Sequence, residues 1–174
     1  MTGALRVAAA VFLAAIVQTA IIDDISILRG TPDLVLVLVV AVAFRRGSLA
    51  AAMAGFAGGL LVELGTLEPT LGVLPLVLAV AGYWAGRYAE TTGRGRAFAP
   101  YAAVLVLGLL TRVGWYLVHF LLGDAGDASI ALGGVLQSAV FDLLLALLVM
   151  GPIRLLIGRN PEGPRPQQMG AVVA

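Results

Sequence analysis

Residues 101–122 read YAAVLVLGLLTRVGWYLVHFLL, and residues 130–157 read IALGGVLQSAVFDLLLALLVMGPIRLLI. Crossing the hydrocarbon core of a bilayer takes roughly 17–25 helical residues, and both runs supply that length. Only the turn Gly123 to Ser129 separates them, so two helices joined by it must lie antiparallel and side by side. Each run carries one charge near its middle, Arg112 in the first and Asp142 in the second. A turn centred near Asp127 places these two opposite each other, roughly 15 and 18 Å below the turn. The same register opposes Tyr116 to Ser138 and Gly108 to Ala146. Gly108, Arg112, Tyr116 and His119 share one helical face, as do Gly134, Ser138 and Asp142. Charge at this depth is costly and marks either a structural ion pair or a cavity that binds or conducts something.

The rest of the chain has the same character. Sixty per cent of its 174 residues are hydrophobic and 12% are charged. A soluble domain carries about 25% charged residues, so lipid rather than water is the natural solvent for this sequence. Four further apolar segments precede the hairpin: Leu5 to Ile22, Pro32 to Phe44, Ser48 to Leu64 and Leu71 to Ala89. The second is short and could re-enter the membrane instead of crossing it.

The placement of charge argues for crossing. Arg6, Arg45, Arg46, Arg87, Arg94, Arg96, Arg154, Arg159 and Arg165 fall at alternate ends of the segments. The opposite turns hold Asp23, Asp24, Asp33, Glu68, Asp124 and Asp127, with Arg29 the one base among them. Short basic loops stay cytoplasmic, so the pattern predicts six transmembrane helices with both termini inside. Val17-Gln18-Thr19-Ala20 is a poor cleavage site, and the first segment reads as a retained helix. Residues 1–159 thus form one all-α, six-helix transmembrane domain. Residues 160–174, with three prolines and two glutamines, form a disordered cytoplasmic tail.

With no cysteine and a single histidine, the chain offers neither thiol chemistry nor a histidine-rich metal site. No nucleophile–base set is recognisable, so no enzymatic activity, cofactor, metal or nucleic-acid partner is expected. Gly55, Gly58 and Gly59 in the third helix, and Gly82 and Gly86 in the fourth, allow close helix approach, either inside the bundle or against another subunit. Arg45, Arg46 and Arg87 set topology or dock an acidic partner. Glu63 ends the third helix at the outer face, where it is solvated or caps a local backbone. His119 lies near the outer interface.

Several of these features occur together in order: Pro32-Asp33-Leu34, Arg45-Arg46-Gly47, the run from Gly55 to Glu63, Leu71-Gly72, and Gly82 to Arg87. In this order and spacing, Thr31 to Tyr88 resembles the MreD family of bacterial rod-shape-determining membrane proteins. The family has Asp where Glu63 stands, and Pro where Thr70 stands. The resemblance implies a scaffold of cell elongation in the bacterial inner membrane. Its expected partners are an MreC-like single-pass protein, a RodA-like glycosyltransferase, a penicillin-binding transpeptidase and membrane lipid. It also implies a fold similar to the substrate-binding components of energy-coupling-factor vitamin transporters. A small-molecule transport subunit is therefore the second reading. A lipid-modifying enzyme is a third, with Arg112 and Asp142 as its one candidate pair.

Overall fold

The computed structural model describes residues 2–22, 32–66, 71–92, 98–123 and 128–157. Those residues form six α-helices and no strand: α1 (Thr2–Val17), α2 (Leu34–Arg46), α3 (Ser48–Thr66), α4 (Val73–Thr92), α5 (Ala99–Leu121) and α6 (Ala128–Ile157). A π-helical turn, Gln18–Ile22, extends α1. Asp23, Asp24, Arg29, Glu68, Arg94, Arg96, Asp124, Asp127, Arg159, Arg165 and the tail 160–174 lie outside the described residues.

The organising element is α2. Its sequence, Leu34 to Phe44, is apolar on every face, which suits the inside of a bundle and lipid alike. Every residue from Val35 to Ala43 is buried. The five other helices each touch α2 and surround it in the order α1, α3, α4, α5, α6, with a light contact from α6 back to α1. At 13 residues α2 is about 20 Å long, some 10 Å short of a bilayer core.

Its two ends are built differently. At the C-terminus, Gly47 adopts φ 91°, which a side chain would resist, and a single residue turns α2 directly into α3. The Gly47 N–H returns to the Ala43 carbonyl at 3.0 Å. At the N-terminus, Asp33 takes the cap position and its carboxylate accepts from the Leu36 N–H at 2.8 Å.

The ring helices turn large apolar side chains outward. Leu5, Phe12, Leu49, Phe56, Leu76, Phe98 and Leu148 are all more than half exposed. Water would not tolerate such a girdle, whereas lipid favours it. Among the described residues, Gly3–Ala20, Ser48–Thr66 and Ala99–Leu121 are long and apolar enough to cross a membrane. They mark the chain as a membrane protein.

Candidate functional site

The main polar cluster in the apolar bundle forms around the N-terminus of α2. The first amides of any helix lack intrahelical partners, and inside lipid each unsatisfied group costs several kcal/mol. Side chains from three elements supply what the helix lacks. Gln18, in the π-helical turn, accepts from the Leu34 N–H at 2.8 Å and donates to the Pro32 carbonyl at 3.0 Å. Asp142 of α6 accepts from the Asp33 N–H at 2.7 Å. Asp33 caps from within α2 itself.

Asp142 is fully buried, and its second oxygen meets Arg112 of α5, with Nη1 to Oδ2 at 2.5 Å. The same Arg112 nitrogen also donates to the Gly108 carbonyl one turn back, at 3.1 Å. Gly108 makes the pair possible sterically. A Cβ there would stand 2.9 Å from the Asp142 carboxylate and 3.3 Å from Arg112 Nη1. The positive end of the α2 dipole and the Arg112 guanidinium thus neutralise one carboxylate from two sides. Arg112 itself is about one-fifth exposed, so the cluster is closed at Asp142 and reaches the surface through Arg112.

A second pair of carboxylates joins α3 to α4, each capping the other helix. Glu63, near the end of α3, is buried and accepts from the Gly72 and Leu74 N–H groups at the start of α4, both at 2.6 Å. It is therefore not solvated. Gly72 holds φ 103° there, which suits glycine and turns its amide to the carboxylate. At the opposite end, Glu90 of α4 accepts from the Ser48 N–H and hydroxyl at 3.1 and 3.2 Å, where α3 begins. Glu90 lies beyond the apolar stretch that ends at Ala89. Its carboxyl titrates below the usual range, chiefly because of the Ser48 backbone hydrogen bond and also because Arg87 stands 3.2 Å away.

The glycines lie between these caps. A Cβ on Gly55 would strike the Leu78 carbonyl, one on Gly59 would strike Pro75, and one on Gly82 the Ala51 carbonyl. One on Gly86 would strike the Ser48 backbone, and one on Gly58 would meet Val35 of α2 and Val11 of α1. All five face neighbouring helices of the bundle rather than its outer surface. Arg45 and Arg46 end α2, and the Arg46 guanidinium lies against Gly3 at the start of α1. Arg87 is exposed and pairs with Glu90. His119 is buried on α5, stacked on Trp115 with ring centroids 3.8 Å apart, and its Nδ1 lies 3.0 Å from the Trp115 carbonyl.

The sequence does not mark Gln18 or Glu90 as site residues, although both contribute to these clusters. A lone glutamine inside an 18-residue apolar span was the available signal for Gln18. No local pattern sets Glu90 apart from any other charge at a helix end. Among the described residues no three His, Cys, Asp or Glu side chains cluster as metal ligands would. The outer wall between α4 and α5 carries an apolar groove of about 330 Å³, with Ala85, Ala103 and Leu107 as its floor. Comparison with protein-family models, with curated proteins and with solved structures finds no match to this chain.

Proposed function

We propose that this chain is a non-catalytic membrane scaffold of bacterial cell elongation, similar to MreD, that binds an MreC-like single-pass partner. One observation carries the reading. The residues of the ordered motif set pack α2, α3 and α4 closely into one unit. Asp33 caps α2, Gly47 turns it into α3, Gly55 and Gly59 seat α4, and Glu63 with Gly72 closes the far end. A closely packed unit of this kind offers outer surfaces to other membrane proteins, as a scaffold must. RodA-like and transpeptidase partners would join through the same complex.

The topology proposed with it is six crossings in the plasma membrane with both termini cytoplasmic, as the arginine pattern requires. A 13-residue α2 is compatible with this, because protein side chains and not lipid receive its N-terminal amides. The arrangement would then be similar to that of energy-coupling-factor substrate-binding components. Single cysteines at Asp24, Thr70 and Ala125 should react from outside with an impermeant thiol reagent, and one at Thr91 should not. Reaction at Thr91 from outside would remove the six-crossing topology.

The functional test is co-purification in mild detergent after co-expression with an MreC-like protein. A stoichiometric complex is expected. A bound vitamin, or capture of an ATPase-coupled module in place of the single-pass protein, would instead assign the chain to transport.

A further inference from the structure

The α4–α5 groove belongs to none of the clusters described above. Ala85, Ala103 and Leu107 form its buried floor, while Trp84, Tyr88 and Val106 stand partly exposed at its rim. Its position along the helices is informative. Tyr88 lies four residues before the end of α4 and Ala102 three after the start of α5, so the groove opens about 5 Å from that end of the bundle. Leu110 closes it at about 17 Å. That span of about 12 Å fits within one leaflet, half of a roughly 30 Å hydrocarbon core.

The groove is lined almost wholly by apolar atoms and offers about 330 Å³. An extended hydrocarbon chain is narrower than the roughly 10 Å of a helix and can lie along it with most of its surface covered.

Charge favours one kind of headgroup. The described charged side chains at this end of the bundle are Arg6, Arg45, Arg46 and Arg87 against Glu90. Glu90 is already engaged by Ser48 and Arg87. Arg87 is about half exposed and lies one turn beyond Trp84 on the same side of α4. Its Nη1 is engaged by Glu90, and about half of the side chain is exposed near the open end of the groove. Trp84 and Tyr88 are of the amphipathic type that gathers at membrane interfaces. Basic sites between transmembrane helices recognise anionic lipid in this way.

We propose that the α4–α5 groove is a binding site for one acyl chain of an anionic phospholipid, with Arg87 as the contact to its phosphate. The site lies in the leaflet on the arginine-rich side of the bundle. It depends on the chain being a membrane protein and not on its having a scaffold role.

The test places the purified full chain in nanodiscs containing equal amounts of phosphatidylglycerol and phosphatidylethanolamine. Native mass spectrometry after release then counts the retained lipids. The wild-type chain should keep one phosphatidylglycerol, about fivefold in preference to phosphatidylethanolamine, the factor expected of one arginine at a membrane surface. Arg87→Gln should abolish the preference while a lipid is still retained. Val106→Trp, a change at the exposed rim that leaves the floor intact, should abolish retention of both lipids. Equal retention of the two lipids by the wild type would overturn the headgroup assignment. Undiminished retention in a folded Val106→Trp protein would overturn the groove assignment. So would a Val106→Trp protein that keeps its lipid but loses a co-purified single-pass protein, because the groove would then belong to a partner helix.

Discussion

Two antiparallel helix pairs in this bundle solve the same problem by opposite means. The α3–α4 pair meets backbone to backbone at Gly55, Gly59, Gly82 and Gly86, where any side chain would strike the other helix. It is the most extensive helix contact in the molecule. The α5–α6 pair packs less extensively and carries the Arg112–Asp142 ion pair, which also receives the buried end of α2. Lipid offers no hydrophobic force to drive helices together, so association rests on close packing or on polar bonds. Packing of the first kind is spread along the interface and tolerates loss at one point. The polar solution concentrates the interaction in one carboxylate.

The largest single effect is therefore expected at Asp142. Asp142→Leu strands the Arg112 charge and also orphans the Asp33 N–H. Breaking one side of a buried pair costs about 3–5 kcal/mol, enough to lower the folded yield sharply. Arg112→Leu leaves a buried carboxylate that still has its amide donor, and the loss should be smaller. The double variant Arg112→Leu, Asp142→Leu should recover part of the yield but not all, because the Asp33 N–H is still unmet. Arg112→Leu with Asp142→Asn keeps an acceptor there and should recover more. Fluorescence-detected size exclusion gives the ranking. Equal recovery by the two double variants would show that the bond from Asp33 contributes nothing.

Next come the glycines. Gly86→Leu drives a side chain into the Ser48 backbone, which cannot yield as a flexible side chain could, and overpacking typically costs 1–3 kcal/mol. Gly82→Leu meets the Ala51 carbonyl and should behave similarly. Gly151→Leu in α6 meets nothing within 4 Å and should leave thermal stability unchanged. If all three variants melt alike, the α3–α4 pair does not depend on close backbone approach.

The two regions also differ in how far the sequence disclosed them. Arg112 and Asp142 stood out because each is a charge in the middle of a long apolar run, and the short turn between the runs fixed their register. The helix limits were legible for the same reason, within two or three residues at most ends. Glycine spacing disclosed that Gly55, Gly59, Gly82 and Gly86 allow close contact, but not against which neighbour. That choice depends on how the helices surround α2, and spacing along a single helix carries no such information. The central position of α2 was implicit in its uniformly apolar faces. In a chain where most helices are apolar all round, however, that signal separates nothing. Gln18 and Glu90 were missed for a related reason. A cap supplied by a distant helix leaves no local pattern, whereas Asp33, which caps its own helix, stands at the usual place before an apolar run.

The smallest expected effect distinguishes the two carboxylates within the α3–α4 pair. Glu63 and Glu90 perform the same task at opposite ends, each accepting from the first amides of the other helix. Glu63 is 2% exposed, and Glu63→Gln replaces an oxygen that accepts from an amide with an NH2 group that cannot. Leaving a buried donor unmet costs about 1–3 kcal/mol. Glu90 is one-third exposed, and solvent screens both its cap and its ion pair. Glu90→Gln should therefore cost less than about 1 kcal/mol. The sign of the pH dependence follows from the lowered pKa of Glu90. The unfolded chain binds the proton at higher pH than the folded one, so stability rises with pH in the interval between the two values. The Glu90 contribution is complete above the ordinary carboxylate pKa and is lost as pH falls through the depressed folded value. Thermal melts of wild type and Glu90→Gln should then differ at pH 7 and converge at acid pH. A difference that persisted there would assign the contribution of Glu90 to packing and not to its charge.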